Sequence, residues 1–199
     1  MESNRFQITE TQGQALVRLA RKTLMERFNR QADAGEENRL AETLKEPTLQ
    51  ICCGTFVTLK LENQLRGCIG SLTGSESLVD GIKSHAVNAA FHDPRFPPLN
   101  AAELDKVIIE VSVLTEPQPL AYDDADDLIA KLRPHVDGVT LRKGFARATF
   151  LPQVWEQLSR PEDFLSHLCM KAGLDSHAWR NAHPEVEVYQ VQHFEEHLV

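Results

Sequence analysis

The chain has 199 residues, 42% hydrophobic and 25% charged, with 21 Lys+Arg against 29 Asp+Glu for a net charge of −8 at pH 7. That length suits one domain, or one with a sub-domain, around a real core, and the balance excludes a disordered tail, a fibre and a surface built to neutralise a nucleic-acid backbone. The most apolar run, Val107 to Leu114, is broken by Glu110 and falls far short of the ~20 apolar residues that cross a bilayer, and no apolar stretch follows Met1 to Arg5 as in a secretory signal, so no membrane partner and a cytoplasmic location are expected.

Thr9 with Gln12 fits a capping box, and Leu16, Leu19, Ala20 and Leu24 recur at helical spacing, which predicts a helix to about Phe28. Asn29 to Pro47 is polar and reads as a loop with a short helix. From Leu49 to Leu61 the apolar residues fall on odd numbers, the period of a strand with one buried face. A short turn at Glu62 to Gln64 leads into a second strand through Leu65 to Gly70. Ser77 with Asp80 opens a helix that Pro94 ends, and the stiff turn Asp93 to Pro98 follows. Asn100 and Glu103 cap a short helix before a strand with Val107, Ile109, Val111 and Val113 inward.

Asp123 to Leu132 reads as an acidic helix, and Val139 to Phe150 as a hairpin turning near Lys143-Gly144. After Pro152 a helix carries Phe164, Leu165, Leu168, Cys169 and Ala172 on one face and stops at Gly173. A last strand spans Val186 to Phe194. Tight strand pairs and separate helices predict an α+β fold, an antiparallel sheet flanked by helices.

Strict alternation puts Arg66, Cys68 and Gly70 on one face of their strand, with Leu65 and Ile69 on the other. Gly67 and Gly70 would let a ligand or another segment approach the backbone. An ordinary thiol, with a pKa of about 8.5, is only ~3% ionised at pH 7; Arg66 is the local cation that would make Cys68 reactive inside a sheltered cleft. The alternative is a small buried cysteine between glycines. Cys53 and Cys169 read as core residues, and Cys52 faces the other way from Cys53.

Arg95, held in a proline-rich turn, either aims its guanidinium into a cleft or pairs with Asp93 or a helix end. His85 and His92 stand too far apart on their helix for one metal ion, although either alone could meet Cys68, and His92-Asp93 could serve as base and orienting partner. His167, His177, His183, His193 and His197 follow no ligand pattern, so no metal or other cofactor is expected. Residues 67–74 match no nucleotide-loop spacing. Arg142, Lys143 and Arg147 surround a hairpin tip, either a solvated edge or a partner surface. Glu110 and Ser112 project opposite the apolar face of their strand, towards water or an inter-element cavity.

LRGCIGSL, residues 65–72, resembles the signature of the AMMECR domain family, named for an AMME-syndrome candidate protein. CGTFVTLK (53–60), DPRFPPL (93–99), IEVSVLTEP (109–117), DGVTLRKG (137–144) and FLPQVWEQ (150–157) resemble it in the same order. The resemblance covers about residues 7–194, leaving tails at 1–6 and 195–199. Phe145-Ala146-Arg147-Ala148 departs from it, where another glycine-rich turn is expected.

The resemblance implies a larger and a smaller sub-domain with LRGCIG near the cleft between them, and no established reaction. Relatives labelled protein A of the AmmeMemoRadiSam system imply a MEMO-like protein and a radical SAM protein as pathway partners. The radical chemistry would be the partner's, because this chain lacks a three-cysteine cluster motif. One reading is then a cleft enzyme or enzyme component: Cys68 is nucleophile or ligand, Arg66 stabilises its anion, Gly67 and Gly70 give access, and Arg95 orients a small anionic metabolite. The others are a non-catalytic partner presenting LRGCIG as an interface, and a small-ligand-binding protein.

Overall fold

The computed structural model describes residues 7–31 and 34–196; residues 1–6 and 197–199, most of the expected tails, and with them His197, lie outside these. The chain folds as two compact units, one formed by the segments before Thr115 and from Gln192 onward, the other by Thr115–Val191.

The first unit opens with α1 (Glu10–Arg27), where Thr9 accepts from the Gln12 amide and the Gln12 side chain returns the bond, closing the capping box. After α2 (Ala34–Thr43) come the hairpin strands β1 (Thr55–Leu61) and β2 (Gln64–Ser71), then α3 (Leu78–Phe91), α4 (Ala101–Leu104) and β3 (Ile108–Leu114). Leu16, Leu24, Val57, Leu59, Ile82, Ile109 and Val111 are all fully buried at 0% exposure; a buried aliphatic side chain stabilises a fold by about 2 kcal/mol. Pairing begins at Thr55 rather than at Leu49, so the expected strand over 49–61 starts late. Leu49 is buried in a 3-10 turn, Pro47–Leu49, and Cys52 makes only an isolated bridge to Ser77. Odd-numbered burial there comes from a packed turn, which hydrophobic spacing does not distinguish from a strand.

The second unit contains β4 (Gln118–Pro119), α5 (Ala125–Lys131), the hairpin β5 (Gly138–Lys143) and β6 (Ala146–Phe150), α6 (Pro161–Lys171), α7 (Ala178–Asn181) and β7 (Glu185–Tyr189). Trp155 stacks on Phe164 at 3.7 Å between ring centroids, and its indole N–H donates to the Asp137 carbonyl at 2.7 Å, so both ends of the largest core side chain are satisfied. The expected strand Val186 to Phe194 is in fact two: β7 ends at Tyr189, and β8 (Val191–Glu195) joins the other sheet. The orders are β2-β1-β3-β8 and β4-β7-β5-β6, two four-stranded antiparallel sheets in an α+β fold.

Candidate functional site

Glu62 and Asn63 both adopt positive φ, 52° and 61°, the geometry of a two-residue hairpin turn. Counting back from that turn without interruption would set Cys68 against Val57, on the core side. The register instead slips by one residue between Leu59 and Lys60: Lys60 faces Leu65, Leu59 faces Gly67 and Thr58 faces Cys68. Arg66 is the extra residue of a β-bulge. The bulge turns Cys68 to the face away from the core, where the Thr58 hydroxyl donates to its sulfur at 3.2 Å and the residue is half-buried.

The same slip corrects the expected sharing of faces. Lys60 and Thr58 lie on one face of β1, so Leu65 and Cys68 lie together, and Leu65 is 44% exposed. Arg66 is buried, and its Nε and Nη2 donate to the two carboxylate oxygens of Glu103 at 2.9 and 3.0 Å. Its charge is spent on Glu103, whose carboxyl it holds below the usual range. The guanidinium beside Cys68 belongs to Arg95: its Nη2 donates to the Cys68 carbonyl at 3.1 Å, and its proton is held chiefly by Asp93, with a smaller contribution from the Cys68 sulfur.

The glycines admit protein. A Cβ on Gly67 would stand 2.1 Å from the Ala89 carbonyl oxygen, so Gly67 lets α3 cross β2 closely; one on Gly70 would stand 2.3 Å from the Phe56 ring and from the Thr55 carbonyl oxygen. The room expected for a ligand at these two positions is filled by the chain itself.

Asp93 bonds the Cys68 amide at 2.9 Å and takes two guanidinium bonds from Arg95, at 2.9 and 2.7 Å. Because β2 ends its sheet, the outward amide and carbonyl of Cys68 have no neighbouring strand, and the turn after α3 supplies both partners. His92 bonds Asn88 rather than working with Asp93, and His85 bonds Thr55 at 2.9 Å on the helix side of the sheet, across from Cys68.

Further along the face of Cys68, Thr58 stands opposite Glu110, which bonds Lys60 at 2.8 Å and approaches His193 at 3.8 Å; Ser112 bonds the same ring nitrogen at 3.0 Å. A serine relay needs its acid and its hydroxyl on opposite ring nitrogens, so Ser112, His193 and Glu110 do not form one. Among the described residues no three His, Cys, Asp or Glu side chains cluster as metal ligands. Sequence reading missed Thr58 and Glu103, the partner of Arg66, whereas the Arg95–Asp93 pair is one of the alternatives the sequence left open. The signal for Arg95 is Asp93 two residues earlier; no local signal marks Thr58, which the bulge alone brings opposite Cys68.

Residues 17–194 match the AMMECR1 family. A protein of Methanothermobacter thermautotrophicus is 38% identical over 191 residues, covering 93% of each chain, and one of Thermofilum pendens is 37% identical, covering 95% of this chain and 92% of its own. The crystal structure of uncharacterized protein PH0010 from Pyrococcus horikoshii superposes with a TM-score of 0.75 at 32% identity, over 95% of this chain and 93% of that one.

Proposed function

We propose, from the premise that the chain belongs to the AMMECR1 family, that it is an enzyme component whose working group is the Cys68 thiol on the polar face of the first unit's sheet. The observation that carries this is the convergence on one cysteine of a hydroxyl donor, Thr58, and a guanidinium, Arg95. Cys68 then acts as nucleophile or ligand, and half-exposed Arg95 attracts a small anionic metabolite. Arg66, Gly67 and Gly70 build the strand rather than touch the substrate. The sequence resemblance adds the setting: a pathway shared with a MEMO-like protein and a radical SAM protein, the radical step belonging to the latter. Reconstitution with those two partners tests it, comparing wild type with Cys68→Ala; loss of product with folding intact is expected, and unchanged product removes the thiol from the chemistry.

A second reading is favoured by Leu65, an exposed aliphatic side chain on the face of Cys68. There the strand is an interface to the pathway proteins. Cys68→Ala would leave turnover intact, while Leu65→Asp or Arg95→Glu would abolish co-purification.

A further inference from the structure

We propose that the open edge of β6, with the turn beside it, docks an extended acidic segment of a partner protein, which joins the second unit's sheet as an added strand.

β6 ends the order β4-β7-β5-β6. Lys143 pairs with Ala146 across the two-residue turn Gly144-Phe145, with Gly144 at φ 60°. In such a hairpin the pair flanking the turn is hydrogen-bonded and the next is not, so the amides and carbonyls of Arg147 and Thr149 point away from β5. Lys171 takes the Thr149 carbonyl at 2.9 Å; the Arg147 backbone has no partner among the described residues. The other edges are guarded more fully. Asp93 and Arg95 bridge β2; on β8, Gln14 takes the Glu195 carbonyl and the Gln192 side chain bonds both the amide and the carbonyl of Ile8, which lies beside that strand; β4 is two residues long and contains Pro119.

Side chains say what would pair there. Across β7, β5 and β6 one row reads Glu185, Arg142, Arg147. Arg142 bonds Glu185, while the nearest carboxylate to Arg147 is Glu187 at 3.9 Å. Two arginines directly opposite repel. A strand added outside β6 places one residue in that row, and an acidic residue there would give acid, base, base, acid. A second copy offering its own β6 would bring further arginine to the row, which argues against self-pairing. At the turn, Phe145 is fully exposed at 110%, an aromatic ring free for a partner to cover.

The test uses the full chain and two acetylated, amidated peptides of about seven residues, one alternating valine with glutamate and one alternating valine with lysine. At low salt the glutamate peptide should bind at least about fivefold more tightly and slow hydrogen exchange at the Arg147 amide. Arg147→Glu should reverse the preference, and Phe145→Ser should weaken binding of the preferred peptide by about tenfold; both positions are exposed, so neither change threatens folding. Equal affinity for the two peptides, no binding of either, or exchange protection away from β6 would overturn the proposal. So would protection of the Arg147 amide in a peptide-free dimer, since the occupant would then be a second copy.

Discussion

The backbone amide of Cys68 donates to the carboxylate of Asp93 across 25 residues of chain, at 2.9 Å. Asp93 is 4% exposed and also receives the amide, Nε and Nη2 of Arg95. Those bonds, the guanidinium's first, hold its carboxyl well below the usual carboxylate range despite burial. Asp93→Asn should therefore destabilise the fold by about 2 kcal/mol at pH 7, less than a fully buried ion pair because Arg95 is half exposed. The unfolded chain takes up this proton near pH 4 and the folded chain only far below. The contribution is thus complete above that range and is lost as pH falls through the lowered value. Urea midpoints of wild type and variant should differ at pH 7 and converge in strong acid; a difference independent of pH would mean that the charge is not what matters.

Gly67→Ala sets a methyl group 2.1 Å from a backbone oxygen of α3, which cannot rotate away. The expected cost is about 2 kcal/mol or more, with β2 displaced at Cys68. Gly144→Ala meets nothing within 4 Å but sits at φ +60°, so about 1 kcal/mol of backbone strain is all it should cost. Thermal unfolding of the two variants side by side checks the order; equal losses would mean that α3 does not press on β2 as described.

Much of this fold was legible because it is written in local chemistry. The caps at Thr9 with Gln12 and Asn100 with Glu103, the stop at Gly173 and the turn at Gly144 depend on neighbours within a few residues. The site depended on events with no local mark. The extra residue at Arg66 decides which face carries Cys68, and Glu103 reaches Arg66 across 37 residues. Tyr189 and Val191 belong to different sheets although both lie in one strand-like run, because such a run marks an extended segment and not its partner.

Glu103→Gln leaves Arg66 buried with a neutral partner, and the expected loss is about 3 kcal/mol. Arg66→Met combined with Glu103→Leu removes both charges and should cost less than the single change, because no unpaired ion remains. Denaturant unfolding of the two variants decides; a double variant that loses as much as Glu103→Gln or more would mean that an unpaired buried charge is not the source of the loss.

Burial pushes the Cys53 thiol up to about 11 and raises that of Cys169, which is fully enclosed. Native-state alkylation near pH 8 should spare both and modify exposed Cys52 quickly. In a Cys52→Ser background the remaining fast label should fall on Cys68, and peptide mapping by mass spectrometry locates it. Label on Cys53 before Cys68 would mean that the start of β1 opens more readily than its packing suggests.

His85 and His193 are both held below the usual imidazole range, first by burial, against the opposing pull of Glu76 on His85 and of Glu110 on His193. His85 lies against a cavity of about 30 Å³, room for roughly one water, lined by Cys53, Thr55, Ser71 and Glu76. A lowered histidine gains its proton in the unfolded chain at higher pH than in the folded one. Stability is then full above about pH 6.5 and declines as pH falls from there towards the lowered value. The melting temperature should drop between pH 7 and 5.5, and His85→Gln, which keeps a hydrogen-bonding group near Thr55, should flatten part of that slope while lowering stability at pH 7 only modestly. His193→Gln should flatten a further part. If neither variant changes the slope, the acid sensitivity originates in groups other than these two imidazoles.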